Sequence, residues 1–107
     1  MKRFGQVIEL KPEGADEYIR LHREVWPDVL EMISSCNLRN YSIFVKDNLL
    51  FAYFEYSGTD FDKDMAKMAS HPETRCWWAV VKPLMNPIKS ASADEFWADM
   101  EEILHLD

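Results

Sequence analysis

The segment Leu49-Leu50-Phe51-Ala52-Tyr53-Phe54-Glu55-Tyr56 constrains the fold more than any other stretch of the chain. As a strand it sends Leu50, Ala52, Phe54 and Tyr56 to one side and Leu49, Phe51, Tyr53 and Glu55 to the other. A strand apolar on both sides wants burial on both sides. The chain's own helices can cover one of them; a second subunit or a ligand must cover the other. Asp47-Asn48, just ahead, is a tight-turn signal, and Arg39–Lys46 alternates as a strand. The two strands therefore form a hairpin.

The remaining elements arrange themselves around this hairpin. Arg3–Leu10 reads as a strand, with Phe4, Ile8 and Leu10 on one face and Gly5, Val7 and Glu9 on the other. Lys11-Pro12-Glu13-Gly14 breaks it and starts a helix, whose first turn carries Asp16 and Glu17 where the helix dipole favours acids. From Ala15 to Ser35 the apolar residues Tyr18, Val25, Val29, Met32 and Ile33 recur at helical spacing, with Trp26 and Leu30 beside them. Pro27 lies inside the pattern and must kink the helix or split it. Gly58-Thr59-Asp60 ends the hairpin, and Phe61–Ala69 is a short helix. Ser70-His71-Pro72-Glu73 has the capping-box pattern, opening a further helix that runs to Leu84. Pro83, Asn86 and Pro87 terminate it. A polar loop over Lys89–Asp94 follows, and within Phe96–Leu106 the segment Glu102–Leu106 is the expected last strand.

The order is β-α-β-β-α-β, the α+β ferredoxin-like arrangement of an antiparallel sheet with its helices on one face. The helix-free face is left bare. Two such sheets packed face to face would cover the doubly apolar hairpin, so a homodimer is expected.

At 107 residues the chain is expected to form one domain, residues 1–107. Its 12 Lys and Arg against 19 Asp and Glu give a net charge of −7. Neutralising phosphates needs clustered bases, so nucleic acid and anionic membrane surfaces are poor partners. A neutral small molecule feels little of this field. Neither a signal-peptide core nor a membrane span is legible, and Cys36 and Cys76 read as reduced thiols. A cytoplasmic protein is expected.

Tyr18 and His22 stand one helical turn apart on one face. An imidazole and a phenol in one pocket form a proton-transfer pair, although a histidine at the edge of an amphipathic helix fits the spacing equally. Trp77-Trp78 is the more unusual feature. Adjacent helical side chains point about 100° apart, so one indole can pack while the other lines a cavity. Aromatic faces dock the C–H faces of sugars, and indole N–H groups reach hydroxyls; packing anchors are the competing reading. Trp26 reads as core, and Tyr41 shares a strand face with Ile43 and Val45. His71 and His105 receive no role. Asp60, Asp62 and Asp64 lack the glycine and the closing glutamate of a calcium loop, so a solvated helix start describes them better. No phosphate loop, nucleophile elbow or zinc pair is present.

In order, Tyr18-x-x-x-His22-x-x-x-Trp26-Pro27, Asn40-Tyr41-x-Ile43, Asn48-Leu49-Leu50-Phe51-Ala52 and Trp77-Trp78 resemble the L-rhamnose mutarotase family over nearly the whole chain. The resemblance implies a dimeric α/β-barrel of ferredoxin-like units and a cofactor-independent isomerase acting on a monosaccharide. Carried over by position, it makes His22 the proton donor and Tyr18, Tyr41, Trp77 and Trp78 the sugar contacts, with no metal. Two segments depart from the family pattern. Arg23-Glu24 stand where Asn-Pro often follows the histidine, and Glu95–Glu102 looks more like a subgroup associated with L-fucose. L-Rhamnose and L-fucose therefore both remain open as substrates. A haem-binding monooxygenase of the same architecture and a non-catalytic sugar-binding module are the alternatives from other classes.

Overall fold

The computed structural model describes all residues from Met1 to Asp107. Its sheet is built from the hairpin outward. Asp47 and Asn48 both take positive φ (52° and 59°), the backbone that a two-residue hairpin turn demands and that Asp and Asn tolerate. They join β2 (Leu38–Lys46) to β3 (Leu49–Tyr56). On its other side β3 pairs with β1 (Lys2–Leu10), setting Phe4 across from Phe54, Gln6 from Ala52 and Ile8 from Leu50. Leu50, Ala52, Phe54 and Tyr56 are buried and their alternates half-buried, as the alternation predicts.

Pro27 splits the first helical region. Helix α1 (Ala15–Arg23) follows a 3-10 turn at Pro12–Gly14, and α2 (Pro27–Ser35) begins at the proline itself. Trp26 is held extended ahead of it (φ −58°, ψ 132°), the conformation a following proline imposes. Helix α3 (Phe61–Ser70) is capped by the Asp60 side chain, which accepts from the Lys63 N–H at 3.2 Å.

The expected capping box at Ser70 is not formed. Ser70 closes α3, its hydroxyl donating to the Lys67 carbonyl, and His71 caps α4 (Pro72–Val81) instead. Pro72 is the reason: the residue before it must be extended, so the cap falls at position 71. A 3-10 turn at Lys82–Leu84 completes the helical region.

The sheet order is β2-β3-β1-β4, the ferredoxin-like order, with the fourth position filled in two pieces. Strand β4 (Met85–Asn86) lies beside Leu10 and Glu9. Strand β5 (Ala98–Met100) continues along the same edge beside Val7, Gln6 and Gly5, after the excursion of residues 87–97. The last strand is therefore Ala98–Met100 and not Glu102–Leu106. Extending the β5 register brings Glu102 opposite Arg3, where the two side chains pair at 2.9 Å. From Glu101 to Asp107 the chain is in no strand.

All four helices lie on the face that carries Leu50 and Phe54. One buried cluster (Ile8, Leu10, Tyr18, Val29, Leu50, Trp77, Val81 and Met85) ties α1, α2 and α4 to the sheet. A second (Cys36, Leu38, Phe54, Tyr56 and Met68) seats α3. No helix is long and apolar enough to cross a membrane.

Candidate active site

Helix α1 opens on Asp16 and Glu17 and closes on Arg20, His22 and Arg23, a charge order that matches its dipole. Tyr18 faces the core, and the i,i+4 spacing brings His22 onto the same face. Their rings stack with centroids 3.9 Å apart and planes 22° off parallel. The His22 Nδ1–H donates to the Tyr18 carbonyl at 2.8 Å. Because a carbonyl can only accept, this bond places a proton on Nδ1 and leaves Nε2 as the exchanging nitrogen.

Helix α4 supplies the other wall. Trp77 is buried and meets the His22 ring edge-on at 5.1 Å; it is braced from behind by Trp26 at 5.2 Å. Trp26 thus packs on the core as read from sequence, and in doing so holds a ring of the site. Burial lowers the His22 pKa, and the hydrogen bond to the Tyr18 carbonyl offsets this only in part. Near neutral pH the ring is largely uncharged.

Two phenols complete the group. Burial raises the Tyr18 pKa, and the neighbouring Tyr41 phenol raises it further. Tyr41 rises from β2 and stacks on Phe54 at 5.2 Å. The residue keeps 39% of its surface exposed, and burial of the remainder pushes its pKa up to about 12. Both phenols stay protonated across the working pH range and can donate hydrogen bonds there.

Trp78 goes elsewhere. It points away from Trp77 by the helical step, carries the Lys82 ammonium over its ring at 4.7 Å, and lines an open groove with Ala69, Arg75, Ala79 and Pro83. The structure brings His22 into ring contact with both Tyr18 and Trp77, and Tyr41 lies near enough to Tyr18 for the two phenols to interact electrostatically. It does not bring Trp78 into ring contact with His22. His71 Nδ1 receives the Thr74 N–H and hydroxyl, and His105 pairs with Asp107, so both lie outside the group. Asp60 and Asp64 serve the start of α3, Asp64 accepting from Tyr56 and Asn37.

The arrangement offers one exchangeable nitrogen, two protonated phenols and an indole wall. That is the equipment for moving protons on a neutral hydroxylated ring. Residues 3–106 match the protein family described as L-rhamnose mutarotase. The L-rhamnose mutarotase of Oceanobacillus iheyensis is 34% identical over 110 residues, spanning 100% of both chains. That of Mannheimia succiniciproducens is 34% identical over 111 residues with the same coverage. The crystal structure of an L-rhamnose mutarotase from Formosa agariphila superposes with a TM-score of 0.78 at 21% identity over both full chains. Tetracenomycin F2 cyclase from Streptomyces glaucescens superposes at 0.69 and 16% identity, again over both full chains. These two superpositions are likenesses of fold.

Proposed function

The chain belongs to the L-rhamnose mutarotase family, and from that premise we propose that it interconverts the anomers of L-rhamnose with His22 as its proton-transfer residue. L-Fucose is the alternative substrate, and the matched relatives, named for L-rhamnose, favour the first. One observation carries the reading. The His22 imidazole stacks on the Tyr18 ring and meets Trp77 in a T-shaped contact, with Nδ1 held by a carbonyl, so that Nε2 is the ring nitrogen left without a hydrogen-bond partner.

Mutarotation breaks the C1–O5 bond, rotates the open aldehyde about C1–C2 and recloses the ring on the other carbonyl face. In the proposed course, protonated His22 gives its Nε2 proton to O5 as the bond breaks. The anomeric hydroxyl loses its proton to water or to a second group of the site, and C1 becomes the aldehyde carbon. On reclosure the hydroxyl at C5 attacks C1, neutral Nε2 takes that hydroxyl's proton, and the new O1 is reprotonated. Atoms and charge return to the start, so the scheme draws on no cofactor and no metal. Trp77 supplies a face for the sugar ring. Tyr18 and Tyr41, kept protonated by burial, supply hydroxyl donors; Trp78, turned to the groove beside Arg75 and Lys82, is left as an outer contact at most.

The assembly we propose is a homodimer joined through the helix-free sheet face. The location we propose is the cytoplasm, where free Cys36 and Cys76 stay reduced. The test is a saturation-transfer NMR panel with L-rhamnose, L-fucose and D-glucose. Acceleration of anomer exchange greatest for L-rhamnose supports the reading. Binding with no acceleration makes the chain a sugar-binding module and overturns it.

A further inference from the structure

We propose that Asn40 is a positioning residue: its left-handed backbone, pinned from the far side of the sheet by Glu55, makes the bulge that turns Tyr41 to the helix side of the sheet, the side on which Tyr18 and His22 lie. The inference rests on the reading above that Tyr41 contacts the sugar.

The register of β2 on β3 carries the case. Leu38 lies opposite Tyr56 and Arg39 opposite Glu55, but the next pair is Ser42 with Tyr53. Asn40 and Tyr41 together face the single residue Phe54, so β2 holds one extra residue there. The extra residue resets the alternation. Leu38 points to the helix side and is buried. In an unbroken strand Asn40 would follow it inward and Tyr41 would face the helix-free side. With the bulge, Tyr41, Ile43 and Val45 fall on the helix side, and the Tyr41 ring stacks on Phe54.

The bulge has a visible support. Asn40 sits at φ 52°, a region that costs most side chains and asparagine comparatively little. Its side-chain Nδ2 donates to Glu55 Oε1 at 2.7 Å, and Glu55 Oε2 accepts from the Tyr53 hydroxyl at 2.6 Å. Both carboxylate oxygens are thus engaged on the helix-free face, directly behind Tyr41. The Tyr53 hydroxyl and the Asn40 amide hold the Glu55 pKa below its usual value, so the bracket stays charged at neutral pH. A backbone outlier beside a site residue, held by a bracket that touches no substrate, marks a positioning device.

The experiment compares Asn40→Gly, which adopts the left-handed region freely, with Asn40→Val, which resists it, and with the milder Asn40→Ala. Each is made in the wild-type and Tyr41→Ala backgrounds. Placement is read without reference to activity, from NOE cross-peaks between the Tyr41 and Phe54 rings. These should persist in Asn40→Gly and fade in Asn40→Ala and Asn40→Val. In the exchange assay Asn40→Val should raise KM for L-rhamnose about tenfold, the scale of one lost positioned contact, with a smaller change in kcat. Asn40→Gly should restore KM, and in the Tyr41→Ala background Asn40→Val should add nothing further. If Asn40→Val fails to fold, Asn40→Ala carries the same comparison. Persistent Tyr41–Phe54 cross-peaks in Asn40→Ala and Asn40→Val would overturn the proposal. So would an equal KM rise with and without Tyr41. Absence of exchange in the wild type would sink the functional reading alone, and the cross-peaks would still decide the placement.

Discussion

An imidazole whose Nδ1–H is committed to the carbonyl of its own helix has one nitrogen left for chemistry, and in His22 that nitrogen is Nε2. A positioned acid–base group contributes on the order of 10²–10⁴-fold to a rate, so His22→Ala should lose about that factor in anomer exchange and still bind sugar. The pH dependence has a definite sign. Donation to O5 needs the imidazolium, and burial lowers the His22 pKa below its ordinary value of about 6.5. The enzymatic part of kcat/KM should therefore rise as pH falls from neutrality, then level off below the lowered pKa. Saturation-transfer rates with the solvent rate subtracted measure it. The opposite slope would make neutral Nε2 the base at the anomeric hydroxyl. Spacing on one helix placed Tyr18 and His22 together from sequence, because an i,i+4 pair shares a face whatever surrounds it. Which tryptophan joins them was not legible: the 100° step separates Trp77 from Trp78, and only the docking angle of α4 turns one indole toward α1. The bulge at Asn40 was also hidden, since Tyr41, Ile43 and Val45 alternate in sequence as they would in an unbroken strand.

At the scale of elements, proline and pairing edges decide the boundaries. Pro72 forces His71 to be extended, and His71 then becomes the cap of α4, its Nδ1 shared by the Thr74 N–H at 3.2 Å and the Thr74 hydroxyl at 2.8 Å. Thr74 is buried, so removing its partner strands polar groups at the start of the helix that carries Trp77. His71→Ala should cost about 1 kcal/mol of stability, the usual value of a lost cap, and His71→Asn should recover most of it. Urea unfolding midpoints of the three proteins check this; equal midpoints would show that the cap contributes nothing. The hairpin was legible to within a residue because its alternation and its Asp-Asn turn agree. The helix break at Trp26-Pro27 was legible because proline acts locally. Ser70 misled, since a capping-box pattern is blind to a proline one place too early. The C-terminal segment misled for another reason: Ile103, Leu104 and Leu106 are apolar enough to suggest a strand, but the ladder on β1 stops at Met100 and these side chains stay exposed. A strand is a property of its partner as much as of itself.

On the whole molecule, the face without helices is the unfinished part. The β2–β3–β1 registers line up Phe44, Phe51 and Val7 in one row across it, with Ala98 at the end, and Tyr53, Gly5 and Met100 in the next. Phe44 is 64% exposed and the tail residue Ile103 90% exposed in the single chain. Sheets stack about 10 Å apart through such rows, and a second copy would bring the same rows to meet them about a two-fold axis. Phe44→Lys separates folding from assembly. Because Phe44 is largely exposed in the single chain, the substitution should change single-chain stability by no more than about 0.5 kcal/mol. In the apposed sheets it would bury an ammonium without a partner, which is far costlier. Sedimentation equilibrium should therefore give twice the chain mass for the wild type and the chain mass for Phe44→Lys. The wild-type melting temperature should rise with protein concentration, and that of Phe44→Lys should not, because only the dimer links folding to association. A wild type that sediments as a single chain at high concentration would end the assignment, and the apolar rows would then need another cover.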